Sequence, residues 1–154
     1  MSITDHLSAT DVILDLDAPN KRTVLQFLAT EAANRLGRPE GEISEALQAR
    51  ERLGSTALGR GIALPHARIE GDLLPVVLVA RLRRPVDFEA RDEEPVDLVI
   101  LVVWPEASPE GFLPTLSEIC GSLREPQVLR RLRSARGADE VVALLARPSP
   151  EAAT

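Results

Sequence analysis

The chain has 154 residues, 44% of them hydrophobic and 27% charged, and a formal net charge of −6. That length holds one domain with a single substantial core, and the composition excludes a chain disordered throughout or fibrous. Acidic residues outnumber basic ones 24 to 18, and three Phe, one Trp and no Tyr are present. This disfavours a nucleic-acid surface, which works by neutralising phosphates and stacking bases.

In chain order, the opening MSITDHLSATDVILDLD lacks a basic n-region and carries Asp5, which argues against a secretory signal. A single cysteine, Cys120, rules out an intramolecular disulfide and fits a reducing compartment, so the expected location is the cytoplasm. His6 has no motif around it and reads as a surface residue. NKRTVLQFLATEAANRLG predicts a helix with Asn20 as N-cap, an apolar stripe of Val24, Phe27, Leu28 and Leu36, and a stop at Gly37. RPEGEISEALQARERLG predicts a second, with Pro39 early, Ile43, Ala46 and Leu47 as its stripe, and a stop at Gly54.

Arg50 lies on that second stripe, which aims its guanidinium inward, where it needs an anion. Ser55 and Thr56 follow the helix stop and offer hydroxyls and backbone donors beside it. The alternatives at this point are an anion site, or a snorkelling arginine above an ordinary turn. Downstream, GIALPH predicts a short strand that delivers His66 at its end, since Pro65 biases Leu64 toward extended backbone. Gly59 and Gly61 flank Arg60 and permit a loop whose N–H groups can receive an anion.

Two β-branched runs, VVLVA (76–80) and LVILVVW (98–104), predict buried central strands, the longer one far short of a membrane span. PEASPEG is a loop. Pro114 is tolerable only in a first helical turn, so the next helix starts near Leu113. Cys120 falls in step with Leu113, Leu116, Ile119 and Leu123, which reads as packing and not as a nucleophile. PQVLRRLRSARG and ADEVVALLA predict two short closing helices, with LRRLRSAR (129–136) a solvated basic face, and RPSPEAAT a frayed tail. Helices interleaved with buried strands predict an α/β domain with helices on both faces of a sheet, over residues 1–147, and a flexible tail at 148–154.

A lone histidine at a strand end is ordinarily a residue bonded to a carbonyl. A neutral imidazole is also a nucleophile near pH 7, able to carry a group without metal or thiol. A phosphoryl group placed there would need positive charge and donors nearby, and Arg50 is the candidate source. RERLGSTALGRGIALPHAR (50–68) resembles the phosphorylation-site signature of phosphotransferase-system IIA proteins of the fructose/mannitol type, in particular their nitrogen-regulatory members. The order of elements from Leu7 to about Ala146 matches as well.

The resemblance implies a single layered domain with a mixed sheet and no cofactor or metal. It implies His66 as phosphoryl acceptor through Nε2, from a phosphohistidine on an HPr-like carrier, and Arg50 as the neutralising charge. Ser55, Thr56, Gly61 and Arg68 are the candidate phosphate-binding residues. Implied regulatory partners are proteins such as potassium-transport or sensor-kinase proteins, with neither nucleic acid nor membrane insertion expected. Two departures stand out. Phe112 or Pro114 occupies the place of a second histidine common in the family, and Ala67–Arg68 replaces the usual Gly-Lys. Alternative readings are a sugar-specific IIA that passes phosphate to a IIB domain, and a degenerate IIA-like binding module.

Overall fold

Residues 5–146 are described by a computed structural model. The flexible tail expected at 148–154 lies outside the described residues. The two β-branched runs form the centre of one six-stranded sheet, as β5 (Val76–Val86) and β6 (Val96–Pro105). The chain enters through β1 (Val12–Leu16), then passes through α1 (Lys21–Leu36) and α2 (Glu40–Arg52). Next come β2 (Ala57–Gly59), β3 (Ile62–Ala63) and β4 (His66–Ile69). After β6 it closes with α3 (Phe112–Leu123), α4 (Pro126–Ser134) and α5 (Ala138–Ala146).

The sheet order is β1-β5-β6-β3-β2, with β4 also on β6. β5 and β6 are antiparallel, while β1 runs parallel to β5, and β3 and β4 run parallel to β6, so the sheet is mixed. Side chains alternate faces along a strand, and β6 divides its residues accordingly. Val99, Leu101 and Val103 join Val24, Leu28, Ile43 and Leu47 under α1 and α2. Leu98, Ile100, Val102 and Trp104 join Ile119, Leu129, Leu132 and Leu145 under α3 to α5. One sheet thus separates two cores, with helices on both faces.

Local chemistry explains the helix limits. Asn20 accepts from the Thr23 N–H at 2.9 Å as N-cap of α1, and Gly37 ends the helix with φ +65°. The buried face of α1 is Val24, Leu25, Leu28, Ala29, Ala32 and Ala33, whereas Phe27 and Leu36 stand at its margin. In α3 the expected stripe holds at Leu116, Ile119, Cys120 and Leu123 and fails only at its first residue. Phe112 is buried and Leu113 is 70% exposed, because Phe112 fills the space between Trp104 and His66. Cys120 is half-buried at the edge of the second core, and burial raises its thiol pKa. His6 is also not a plain surface residue, since its ring lies edge-on to Trp104 at 5.3 Å.

The strand reading at VVLVA stops six residues short of the end of β5, at the charges of RLRRP. The strand continues because Leu82 still pairs with Leu16 of β1 and Val86 with Val96 of β6. Arg81 donates from Nη1 to the Leu132 and Ala135 carbonyls, at 3.0 and 2.7 Å. It thereby satisfies the C-terminal end of α4. The GIALPH strand proves to be two. β3 and β4 keep one register on β6, Ile62 opposite Leu98 and His66 opposite Val102, and are broken only at Leu64–Pro65, where proline has no N–H to give the ladder. His66 therefore opens a strand instead of closing one.

The turn Gly59-Arg60-Gly61 has positive φ at all three residues. The anion site expected in this loop is filled from within, because the Asp92 carboxylate accepts from the Arg60 N–H at 2.9 Å. A Cβ on Gly61, where φ is +81°, would stand 2.6 Å from Arg133 Nη2, which bonds the Arg60 carbonyl and Asp97. Gly61→Ala is expected to cost about 1–3 kcal/mol, the range for a side chain forced into left-handed backbone. The shift of the urea midpoint checks it.

Candidate functional site

β4 pairs with β6 on one side and forms the rim of the sheet next to α2. His66 is half-buried at its first position, with its ring 5.8 Å from Phe112. Its Nδ1 is 2.8 Å from the Leu64 carbonyl oxygen. A carbonyl only accepts, so Nδ1 carries the ring proton and Nε2 presents a lone pair. Arg50, in the last turn of α2, donates from Nε to that Nε2 at 3.3 Å and from Nη1 to the Gly54 carbonyl at 2.9 Å. The inward aim of Arg50 thus ends on the imidazole.

Burial lowers the His66 pKa below its ordinary value, and the Arg50 charge lowers it further. The Leu64 hydrogen bond and the Glu51 charge oppose this, without reversing it. The imidazole is consequently neutral near pH 7, with its nucleophilic nitrogen facing a guanidinium. Among the described residues Arg50 donates to that lone pair and to a carbonyl, and a dianionic group on Nε2 would meet its guanidinium directly.

Arg68, exposed two residues further along β4, lies on the same side of the strand, with its guanidinium carbon 5.7 Å from the Phe112 ring centre. Phe112 thus lies against both His66 and Arg68.

The other sequence candidates stand differently. The Ser55 hydroxyl donates to the Phe88 carbonyl at 2.6 Å and accepts from the Ala57 N–H. The Thr56 hydroxyl, on a residue only 4% exposed, donates to Glu51 Oε2 at 2.5 Å. Both hydroxyls hold the turn together. Gly61 lies under Arg133, and its carbonyl accepts from the Asp97 and Leu98 N–H groups. The basic helix face is exposed at Arg130, Arg131 and Arg136, while Arg133 is tied to Asp97. Sequence reasoning missed Glu51, whose carboxylate also pairs with Lys21 at 2.8 Å. Its position beside Arg50, five residues before a threonine, was the available signal.

Fold and site together define a class, the IIA domains of the phosphotransferase system. Residues 5–147 match the family described as "Phosphoenolpyruvate-dependent sugar phosphotransferase system, EIIA 2", and the chain belongs to it. Within that family it is similar to proteins named nitrogen regulatory protein. That of Bradyrhizobium diazoefficiens is 39% identical over 153 residues, 99% of this chain and 100% of that one. That of Pseudomonas aeruginosa is 41% identical over 128 residues, covering 82% and 83%. The crystal structure of nitrogen regulatory protein IIA-Ntr from Neisseria meningitidis superposes with a TM-score of 0.89 at 31% identity, over 93% of this chain and 98% of that one. The fold extends to the mannitol IIA of Escherichia coli, with a TM-score of 0.75 at 23% identity over 91% and 99%. Among the described residues no helix is long and apolar enough to cross a membrane.

Proposed function

We propose that this protein is a cytoplasmic phosphohistidine regulator of a nitrogen-related phosphotransferase system, with His66 as the phosphoryl acceptor. The observation that supports this most is the His66 geometry: proton on Nδ1 toward Leu64, lone pair on Nε2 beside Arg50. In the reaction, Nε2 attacks the phosphorus of a phosphohistidine on an HPr-like carrier, in line with the bond that breaks. The donor imidazole leaves with the electron pair of its N–P bond. The donor ring, protonated on its other nitrogen, leaves as a neutral imidazole, so no further proton need be supplied, and the His66 ring proton stays on Nδ1, donated to the Leu64 carbonyl.

Catalysis of such a transfer is positioning and charge neutralisation. Arg50 supplies the charge beside Nε2, and Arg68, over the Phe112 ring, is a second candidate cation for the phosphoryl group. The Gly-Ser-Thr turn acts chiefly by shaping the pocket, since Gly54 anchors Arg50 and the Ser55 and Thr56 hydroxyls are engaged within it. The dianionic group then alters the surface on which partner proteins, such as potassium-transport or sensor-kinase proteins, are recruited or repelled. The domain of this reading spans residues 1–147.

The test is incubation with phosphoenolpyruvate, enzyme I and the HPr-like carrier, read by intact mass. Wild type is expected to gain an acid-labile phosphate and His66→Ala to gain none while keeping its circular-dichroism spectrum. Labelling that survives the substitution would sink the assignment. The missing second histidine, at Phe112 or Pro114, favours one rival, a binding module that has lost phosphotransfer. An unlabelled wild type beside a phosphorylated carrier, with partner capture indifferent to His66→Ala, would select that rival.

A further inference from the structure

A carboxylate removed from water is costly unless it is paired and hydrogen-bonded, and the Glu51 side chain is only 6% exposed. It is held on every side that the turn offers. Lys21, 15% exposed and lying 5.2 Å over the Phe88 ring, pairs with Oε1 at 2.8 Å. Thr56 donates its hydroxyl to Oε2 at 2.5 Å and its N–H to Oε1 at 3.3 Å. A buried ion pair contributes little net stability compared with an apolar replacement, so stability alone is a poor reason for this one. What the arrangement does is clamp Thr56 by both its side chain and its backbone.

The clamp leads to the imidazole. The Thr56 carbonyl accepts from the Leu64 N–H at 3.0 Å, and the Leu64 carbonyl accepts from His66 Nδ1 at 2.8 Å. The same Leu64 residue is thus held at its N–H by the clamped threonine and, through its carbonyl, holds the ring proton of His66. Glu51 and Arg50 are successive residues of α2, about 100° apart around the helix axis. One turn of helix therefore addresses Nε2 directly and Nδ1 through the Thr56–Leu64 link.

We propose that Glu51, braced by Lys21, is a positioning residue for His66, acting through Thr56 and Leu64 to keep the ring proton on Nδ1 and leave Nε2 unprotonated toward Arg50. This rests on the phosphohistidine reading for its purpose, but the tautomer it predicts is a property of the free protein. Thr56, taken from the sequence as a phosphate ligand, becomes in this account a link in the brace. Loss of the brace lets Leu64 shift and the ring turn, and a misplaced nucleophile slows transfer.

The experiment reads the imidazole nitrogens of full-length, nitrogen-15-labelled protein by NMR, with His6→Gln to assign the two rings, alongside transfer from the phosphorylated carrier. Wild type is expected to show His66 as the Nδ1–H form alone. Glu51→Ala and Thr56→Val are expected to show both tautomers and transfer slowed between about 10- and 100-fold. Thr56→Ser, which restores the hydroxyl, recovers both readouts. Thr56→Val keeps the Lys21–Glu51 pair and the side-chain volume, and so remains informative if Glu51→Ala does not fold.

A folded Thr56→Val that keeps His66 wholly as Nδ1–H overturns the proposal, as does a wild type protonated on Nε2. A tautomer change in the variants of a protein that never accepts phosphate would support the positioning role and defeat the phosphohistidine reading instead.

Discussion

Arg50→Met is expected to slow phosphoryl transfer to His66 about 10²–10³-fold, the scale for deleting one preorganised donor to a reacting anion. The guanidinium is 3.3 Å from His66 Nε2 and tethered to the Gly54 carbonyl, so the proposed transfer would need little reorganisation there. The same substitution acts on the imidazole itself. Arg50 helps to lower the His66 pKa, so its loss raises that pKa, and the acid limb of the rate–pH profile moves to higher pH. Arg50→Lys keeps charge but not the planar Nε donor, and is expected to fall between the two. Single-turnover transfer measured across pH gives both quantities. A rate and profile equal to wild type would remove Arg50 from the mechanism.

Phe88→Ala is expected to cost about 3–5 kcal/mol in urea unfolding, a large fraction of the 5–15 kcal/mol of an ordinary domain. The ring is fully buried in the core under α1 and α2, with the Lys21 ammonium over one face. Its backbone carbonyl also receives the Ser55 hydroxyl, so the loop that carries it supports the turn after α2. Phe88→Leu refills most of the space and is expected to cost less than about 1.5 kcal/mol. A loss below that value for the alanine variant would mean that the site collapses around the vacancy.

The reading of the sequence and the structure part company at identifiable residues. Asn20 and Gly37 bound α1 because capping is local chemistry, and the β-branched runs mark β5 and β6 because a strand covered on both faces is apolar throughout. β1 was not anticipated. It is only five residues long, VILDL, with Asp15 at φ +58° and a register shift where it pairs in parallel with β5. The charges of RLRRP follow the apolar run, yet β5 continues through them, because Leu82 pairs with β1 and Val86 with β6 while Arg81 reaches a helix end 51 residues away.

By itself, then, the order of residues determined the α/β layering, the limits of α1 and, through a motif, the pairing of a proline-delivered His66 with an inward Arg50, since these follow from spacing along one element or from that motif. Only the tertiary structure decided what each polar group answers to. It committed the Thr56 hydroxyl to Glu51, filled the Gly59–Gly61 loop with Asp92, and set Arg68 and His66 against Phe112, from a helix 46 residues beyond the histidine. The physical reason is that periodicity specifies the face on which a side chain lies. Its partner is specified by whichever distant segment packs there, and for buried polar groups that partner carries most of the meaning.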